Sequence, residues 1–279
     1  MAQQQPRRAR QPHDGNPHRA RQPHDNWARY YDFVYQKTYG DLYTTFNENT
    51  EDICQQLINN CPAGKDRVCV LDIGAGTGRL AIPLLERGHH VTAVEPSEFM
   101  CDEIRRKLER LDGPLHNNLI ITQDLIQNAA LPSQFFDIAL LLFTVIAYIT
   151  NKKDLKRAFK SIAGSLKEGG FVLLDVPRIE HFLQPQVYNC RSMKRTVTIT
   201  EEGGNLYLYR ETCEGVMEGE VFRYSDEFPL RQWSDEDIIS LCAENGLIRN
   251  TSLDGMLKNY FQWTGATYYL FEKKQKRNR

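Results

Sequence analysis

The sequence lacks the features that mark membrane, secreted and zinc-binding proteins. Its longest apolar run, residues 138–149, is interrupted by Thr144 and is too short to cross a bilayer as a helix. The N-terminus is basic but has no apolar segment behind it, so we expect no secretory signal. The seven cysteines are scattered and form no C-x-x-C pair, which argues against a disulfide framework and against metal ligation. These absences favour a cytoplasmic protein with reduced thiols.

Positive charge is scarce in the body of the chain and is concentrated at its ends. The 279 residues carry a net charge of −1. Residues 1–25 hold five bases and two acids, and residues 273–279 hold five bases and no acid, which leaves 25 bases and 34 acids between them. A body this acidic is a poor surface for a phosphate backbone, so we do not expect nucleic acid as a partner.

The N-terminal segment has almost no apolar sequence and contains a repeat, RARQPHD, at residues 8–14 and 19–25. A segment this rich in Pro, Gln, Arg and His cannot bury a core, so we assign residues 1–26 to a disordered basic tail and residues 274–279 to a second one. His13, His18 and His24 have the chemistry to bind a metal. We prefer to interpret them as exposed tail residues, and we predict no metal centre.

Between the tails, short apolar strands alternate with helices. Strands are predicted at 68–73, 91–94, 119–122, 136–142 and 171–176, and Ser97 and Asn151 are predicted to cap the helices that follow them. This alternation is typical of an α/β fold with a mostly parallel sheet and helices on both faces. An insertion at about 190–232 differs: its alternating segments predict a small antiparallel β-sheet that caps the fold before two final strands. The segments are 196–200, 205–213, 216–224 and 228–233.

Three glycines alternate directly after the first strand, at Gly74, Gly76 and Gly78, in the stretch LDIGAGTG. Glycine at a strand-to-helix turn lets the backbone approach a ligand closely. Glu95 lies 21 residues after Gly74, at the end of the second strand, where a carboxylate can accept hydrogen bonds from both ribose hydroxyls of a nucleoside. The pair predicts a cofactor that contains adenosine. The alternative is a glycine-rich turn that serves packing alone.

The acid-led glycine loop at residues 72–78 resembles motif I of the class I S-adenosylmethionine-dependent methyltransferases. It departs from the G-x-G-x-x-G pattern of dinucleotide sites. The resemblance continues through EPSEFM at 95–100, TQDL at 122–125 and LKEGG at 166–170, where Glu168 replaces the family's usual Pro. It covers residues 27–273. It implies a Rossmann-like, mostly parallel seven-stranded sheet and S-adenosyl-L-methionine as the cofactor.

The resemblance also implies roles for individual residues. Asp72 would orient the methionine end of the cofactor, Glu95 would hold its ribose, and Asp124 would meet its adenine amino group. An alternative for Asp124 is a loop-capping aspartate. The full set of cofactor-binding residues implied in this way is Tyr31, Asp72, Gly74, Ala75, Gly76, Glu95, Pro96, Asp124, Leu125 and Phe143.

Three further segments are predicted to meet the substrate. The Y-D-x-x-Y pattern of Tyr31 and Tyr35 resembles the N-terminal lid of small-molecule methyltransferases, with core aromatics as the alternative. The stretch LFTVIAY, 142–148, resembles a segment of the amino-sugar N-methyltransferases in which Tyr148 would bind the nucleophile; its alternative is a half-buried anchor. Arg178 can pair with a substrate anion and His181 can act as a general base, or both are ordinary loop residues.

The resemblance implies methyl transfer to an amine or hydroxyl of a small molecule. The predicted cap is similar to the small sheets over the active sites of glycine N-methyltransferase and the amino-sugar enzymes. The amino-sugar enzymes carry an aromatic pair where this chain has Asp175 and Val176, so a nucleotide-sugar substrate is not implied. Two alternatives stay open: methylation of RNA or protein, and a non-catalytic cofactor-binding partner subunit. We expect a monomer or homodimer.

Overall fold

The computed structural model describes residues 21–60, 67–262 and 264–274. Most of both predicted tails lies outside these ranges. No helix within them is long and apolar enough to cross a bilayer. The helices are α1 (Tyr31–Tyr39), α2 (Asp41–Asn59), α3 (Ala81–Glu86), α4 (Glu98–Leu108), α5 (Lys152–Ser165), α6 (Asp235–Glu244) and α7 (Asp254–Phe261).

Eleven strands form two sheets within the described ranges. The strands are β1 (Cys69–Ile73), β2 (His90–Val94), β3 (Leu119–Thr122), β4 (Phe136–Leu141), β5 (Leu166–Pro177), β6 (Gln186–Cys190), β7 (Met193–Gly203), β8 (Leu206–Met217), β9 (Glu220–Arg231), β10 (Leu247–Asn250) and β11 (Ala266–Lys273).

The larger sheet has seven strands in the order β10-β11-β5-β4-β1-β2-β3. All neighbouring pairs are parallel except those of β11, which runs antiparallel to β5 and to β10. The predicted fold class is therefore confirmed. The chain leaves β1 toward β2 on one side and reaches β4 on the other, so the carboxyl ends of β1 and β4 border a crevice, where α/β sheets bind ligands.

Local signals position the helices and the core around this crevice. The predicted caps are present: the side chain of Ser97 accepts from the backbone N–H of Met100, and that of Asn151 accepts from the N–H of Asp154. Each such cap contributes about 1 kcal/mol. Alternation along β1 places Leu71 in the hydrophobic cluster on one sheet face and Val70 in the cluster on the other. Both faces are buried, as the continuous apolar strands predict.

The smaller sheet, β6-β7-β8-β9, is the predicted antiparallel cap, and it spans 186–231 rather than 190–232. Its hairpin boundaries differ from the prediction. The sequence predicts one strand over 216–224, but Glu218 and Gly219 form a turn inside that range with φ of +52° and +84°. The predicted break at 225–227 instead lies within β9, where the polar residues Asp226 and Glu227 pair with Glu211 and Arg210 of β8.

Residues 21–26 correct the predicted N-terminal boundary. They were assigned to the disordered tail, yet His24 is buried and Asp25 begins a short 3-10 helix that runs to Tyr30. The reason is a long-range contact with β9. Asp226 accepts hydrogen bonds from the backbone N–H of His24 at 2.7 Å and from the indole N–H of Trp27 at 3.1 Å. Composition gives no sign of a partner some 200 residues away. Residues 1–20 lie outside the described ranges.

Candidate active site

The glycine loop leaves β1 in a left-handed conformation at three positions, with φ of +66° at Gly74, +56° at Gly76 and +81° at Gly78. The first two glycines of the loop, Gly74 and Gly76, serve different purposes. A Cβ on Gly74 would lie 2.5 Å from Cγ2 of Val145, so packing against the loop after β4 requires glycine there. A Cβ on Gly76 would meet no atom within 4 Å and would project into open space. Gly76 is therefore the position at which the backbone is bare toward a ligand.

Glu95 lies at the end of β2 beside this loop and is almost wholly buried. Its Oε2 accepts from the backbone N–H of Gly76 at 2.8 Å, and its Oε1 accepts from the N–H of Ser97 at 2.9 Å. Burial raises the pKa of this carboxyl to about 7, although these two N–H groups act to lower it. Each carboxylate oxygen has a second lone pair, so Glu95 can still accept from a ligand.

Asp72, the last residue but one of β1, carries a buried carboxyl group beneath the loop. Burial raises its pKa to about 6, against the opposing charge of Arg79 and a hydrogen bond from the backbone N–H of Ala81. No donor among the described residues reaches its Oδ2. A buried carboxylate oxygen without a donor is costly. It fits a ligand that brings a donor or a positive charge to this position.

A cavity of about 410 Å³, the first cavity, opens above these groups at the carboxyl ends of β1, β2 and β4. All ten residues predicted to bind the cofactor line it: Tyr31, Asp72, Gly74, Ala75, Gly76, Glu95, Pro96, Asp124, Leu125 and Phe143. Oδ1 of Asp124 also accepts from the N–H of Leu125 at 2.7 Å, so the loop-capping alternative describes a contact that is present as well. The roles of these residues stay predictions.

Helix α1 lies over the glycine loop because its residue Asp32 contacts a residue of that loop and a residue of α4. The hydroxyl of Thr77 donates to Oδ1 of Asp32 at 2.7 Å, and Nζ of Lys107 lies 2.6 Å from Oδ2. Asp32 is the acid of the Y-D-x-x-Y pattern. Its contacts set Tyr31 at the first cavity and Tyr35, four residues later, at a neighbouring one. The Y-D-x-x-Y pattern therefore places one tyrosine at each of two neighbouring cavities.

The neighbouring space, the second cavity, has a volume of about 320 Å³ and shares four lining residues with the first: His24, Phe143, Tyr148 and Phe228. Its wall is rich in aromatic rings, with side chains from α1, α2, the cap and β11. Among them are Tyr35, Tyr39, Tyr43, Phe46, Tyr209 and Tyr268. A molecule in the second cavity would thus meet a molecule in the first across the rings of Phe143 and Tyr148.

Asp175, near the end of β5, lines the second cavity and was not among the predicted site residues. Its carboxylate accepts from the backbone N–H of Thr144, with oxygens at 2.9 and 3.1 Å. This contact holds a turn in which Phe143 and Thr144 both have left-handed φ, +70° and +68°. Non-glycine residues in this region are strained, and such strain persists where the surroundings fix it. Burial raises the pKa of Asp175 to about 7.

Two predicted substrate residues lie elsewhere. Arg178 is bound within the fold: its guanidinium lies 2.8 Å from Oδ1 of Asp235 and donates to the hydroxyl of Thr267 at 2.8 Å. His181 is exposed in the short 3-10 helix Ile179–Phe182 that follows. Neither lines the first or the second cavity. The spacing after β5 suggested them, but side-chain direction, which spacing does not fix, turns both away.

Sequence reasoning missed His24 and Asp226, which line the first cavity. His24 was assigned to the tail, and Asp226 was placed in a break between strands. One signal was available in retrospect, since Asp226 and Glu227 stand in an otherwise alternating strand pattern. Nothing in the sequence alone pairs this acid with a segment about 200 residues before it.

Comparison with known proteins finds similarity to methyltransferases. Residues 70–170 match the family model described as "Methyltransferase domain". A curated relative, the putative methyltransferase YqeM of Bacillus subtilis (strain 168), is 32% identical over 107 residues, which cover 38% of this chain and 41% of that protein. A second, from Geobacillus sp. (strain WCH70), has 47% of its length covered. The chain thus spans less than half the length of the curated relatives it matches.

Solved structures share the fold over nearly the whole chain. A S-adenosylmethionine-dependent methyltransferase from Clostridium acetobutylicum ATCC 824 superimposes with a TM-score of 0.71 at 20% identity, covering 88% of this chain and 99% of that one. The sugar N-methyltransferase KedS8 from Streptoalloteichus sp. ATCC 53650 gives 0.66 at 19% identity, with coverages of 88% and 93%. Identities this low show a common fold.

Proposed function

We propose that this protein transfers a methyl group from S-adenosyl-L-methionine to a small molecule, a function supported by the match of residues 70–170 to a methyltransferase domain. The observation that carries the proposal is the pair of adjoining cavities. The first is lined by the glycine loop and by five acidic residues, among them Asp72, Glu95 and Asp124, and the second meets it at Phe143 and Tyr148. Methyl transfer needs an acceptor aligned with the donor and water kept away, which two cavities with a shared aromatic boundary supply.

The residues of the first cavity fit the parts of this cofactor. Glu95 would accept from the ribose hydroxyls and Asp124 and Leu125 would hold the adenine; all three line the first cavity. The free Oδ2 of Asp72 suits the positively charged methionine end, and the bare backbone at Gly76 lets the chain lie against it. When bound, the cofactor supplies an electrophilic methyl group on a sulfonium sulfur.

The second cavity favours an amine over a hydroxyl as acceptor. It holds the carboxylate of Asp175, and its described lining contains aromatic rings but no Lys or Arg. A carboxylate and aromatic faces both attract a cation. A protonated amine can bind there and react after it loses its proton, since a neutral amine needs no further activation. An anionic acceptor would meet no Lys or Arg in this described lining, and Arg178, predicted to bind a substrate anion, is held by Asp235 instead.

The volume of about 320 Å³ sets the size of the acceptor to that of a metabolite. In the reaction the nitrogen lone pair forms the new bond to the methyl carbon. The carbon–sulfur bond breaks with its electron pair left on sulfur, and the proton of the resulting ammonium passes to solvent. The chain's own residues bind, orient and exclude water.

A two-stage experiment tests the proposal. A thermal-shift screen with S-adenosylmethionine, S-adenosylhomocysteine, NAD and FAD comes first; ligand at about 100 times its dissociation constant stabilises a protein by roughly 2.7 kcal/mol. Methyl-labelled S-adenosylmethionine is then offered with benzylamine, N-methylbenzylamine, benzyl alcohol and phenyl phosphate. We expect label in the amines first. Stabilisation by NAD or FAD alone would overturn the proposal. Cofactor binding without transfer to any broader metabolite panel would support a non-catalytic partner subunit.

A further inference from the structure

The segment that carries His24 is fixed to the cap by one buried carboxylate. Asp226 of β9 accepts from the guanidinium of Arg21 at 2.9 Å, from the backbone N–H of His24 at 2.7 Å and from the indole of Trp27 at 3.1 Å. Its side chain is only 2% exposed. Because the bond to His24 comes from the backbone, the imidazole of His24 is free for another purpose.

The imidazole lies at the boundary of the two cavities. Its Nε2 is 2.9 Å from the hydroxyl oxygen of Tyr148, the residue that sequence reasoning placed at the nucleophile. Its Nδ1 lies 3.8 Å from Oδ2 of Asp226 and has no hydrogen-bond partner among the described residues. The ring is 90% buried and meets those of Trp27 and Phe228 edge to face. A buried histidine with a nitrogen in a ligand cavity is not explained by packing.

The surroundings indicate which nitrogen carries the proton. Burial, aided by the charge of Arg195, lowers the pKa of His24 to about 3, so the ring is neutral near pH 7 and has one donor nitrogen and one acceptor. The carboxylate of Asp226 beside Nδ1 favours the proton there. Nε2 is then the acceptor, and the hydroxyl of Tyr148 donates to it. The tautomer is assigned from these neighbouring groups.

We propose that His24 is a positioning residue of the active site, which accepts the hydroxyl proton of Tyr148 in a hydrogen bond and so presents the tyrosine oxygen to the nucleophile as an acceptor. The inference rests on the proposed methyl transfer. The tyrosine oxygen has two lone pairs, so it can accept from the nucleophile even where the side chain of Thr144, which acts to lower the pKa of Tyr148, occupies one of them. The nucleophile must then carry an N–H or O–H at the atom that receives the methyl group. His24 and Tyr148 keep their own protons throughout.

Nitrogen-15 NMR of histidine-labelled, full-length protein tests the hydrogen bond without any methyl acceptor. We expect His24 to be the neutral Nδ1–H tautomer from pH 7 down to about pH 5, with an Nε2 resonance that moves in Tyr148→Phe. His13→Ala is the matched control, because residues 8–14 repeat the sequence of 19–25, and it should leave this resonance in place. An Nε2–H tautomer or an imidazolium at pH 7 would overturn the proposal even if the protein proves to be a methyltransferase.

A double-mutant cycle tests the consequence for the reaction, with the best amine from the panel as acceptor. His24→Ala and Tyr148→Phe should each lower kcat/KM for the amine about tenfold or more, and the double variant should be no slower than Tyr148→Phe alone, since His24 acts only through that hydroxyl. His24→Gln offers an acceptor oxygen and should recover part of the rate. The dissociation constant for S-adenosylhomocysteine should stay within about threefold. Additive losses, or losses matched by a fall in melting temperature, would assign His24 to structure.

Discussion

The backbone N–H of Gly76 donates a 2.8 Å hydrogen bond to Oε2 of Glu95, which lies 19 residues further along the chain. The bond joins the glycine loop after β1 to the end of β2, and the other oxygen of the same carboxylate accepts from the N–H of Ser97. Glu95 therefore shapes the loop and the start of α4 and still has lone pairs toward the first cavity. Glu95→Ala removes the contacts to the backbone and those toward the cavity together. Glu95→Gln keeps the shape of the side chain and separates its structural role from ligand binding.

We predict that Glu95→Gln weakens cofactor binding by about one to two decades. One charge-assisted hydrogen bond to a ribose hydroxyl contributes roughly 1.5–3 kcal/mol, and the amide replaces one acceptor by a donor. Glu95→Ala should weaken binding further and also lower the melting temperature, because the N–H of Gly76 loses its partner. Calorimetry with S-adenosylhomocysteine measures the affinity, and Glu86→Gln, on the exposed side of α3, is the control. Unchanged affinity with a lower melting temperature would leave Glu95 a structural role alone.

Cofactor affinity should depend on pH through the same carboxyl group. Burial raises the pKa of Glu95 to about 7, and the ribose hydroxyls bind the ionised form, so protonation competes with the cofactor. The dissociation constant should rise about tenfold from pH 8 to pH 6, and binding near pH 7 should release a proton. Calorimetry in buffers of different ionisation enthalpy detects that proton. Glu95→Gln should leave only the shallower dependence that Asp72, with a pKa of about 6, can supply; an equally steep profile in this variant would assign the titration to another group.

Substitutions of Gly74 and of Gly76 should affect the protein in different ways. Gly76→Val places a branched side chain in the open cavity at a left-handed φ of +56°, so we expect loss of cofactor binding in a protein of lower stability that still unfolds cooperatively. Gly74→Ala places a Cβ 2.5 Å from Val145 at a left-handed φ, so we expect lower stability, by more than about 1 kcal/mol. Gly164→Ala, in an exposed turn of α5 with open space around it, is the control and should be neutral or slightly stabilising. Gly76→Ala, like Gly74→Ala, has a left-handed φ but makes no close contact, so a folding defect in Gly76→Ala equal to that of Gly74→Ala would contradict the distinction.

The parts of the site that could be predicted from the sequence are those with local signals. Caps at Ser97 and Asn151, the glycine loop and the acid at the end of β2 depend on neighbours within a few residues, and all lie where the pattern placed them. Glycine is required at position 74 by packing and not by ligand approach as predicted. The side chain that it packs against, Val145, belongs to a loop about 70 residues away. Spacing along the chain does not specify such contacts.

The cap was predicted less well because its strands are half exposed and two polar residues of β9 have tertiary partners. Asp226 looks like a turn residue in the sequence, but the burial of its carboxylate is stabilised by donors from residues 21–27. Arg195 and Glu211, a buried ion pair between β7 and β8 at 2.6 Å, carry equally little local signal. Cytoplasmic location, oligomeric state and the substrate stay predictions.

Truncation of the N-terminus should separate its two repeats. Removal of residues 2–18 deletes the first RARQPHD and should leave melting temperature and cofactor affinity within error, since that segment is too polar to bury a core. Removal of residues 2–26 also takes Arg21 and His24 from Asp226, so both quantities should fall. Asp226→Asn should reproduce part of that fall. If the two truncated proteins had the same melting temperature and cofactor affinity, the predicted tail boundary at residue 26 would be correct.

Asp175→Asn should change stability and amine binding in opposite directions. Burial raises the pKa of Asp175 to about 7 in the folded protein, above its ordinary value. Between these two values the folded state holds a proton that the unfolded state has lost, so stability falls as pH rises through that window. Above pH 7 the folded protein carries a buried, ionised carboxylate. Asparagine has no charge to bury and retains an oxygen for the N–H of Thr144, so at pH 8 the variant should melt at the same temperature or a higher one.

The affinity of an amine should move the other way. With S-adenosylhomocysteine bound, benzylamine should bind Asp175→Asn about tenfold or more weakly, because a charge-assisted hydrogen bond contributes roughly 1.5–3 kcal/mol. Benzyl alcohol, which has no charge, should bind both proteins alike, and the affinity for S-adenosylhomocysteine itself should be unchanged. Calorimetry and thermal denaturation at pH 8 on the same samples measure all of these. If the variant loses stability and binds both probes more weakly, Asp175 only supports the turn at Phe143 and Thr144; if only the amine is affected, its carboxylate selects a cationic acceptor.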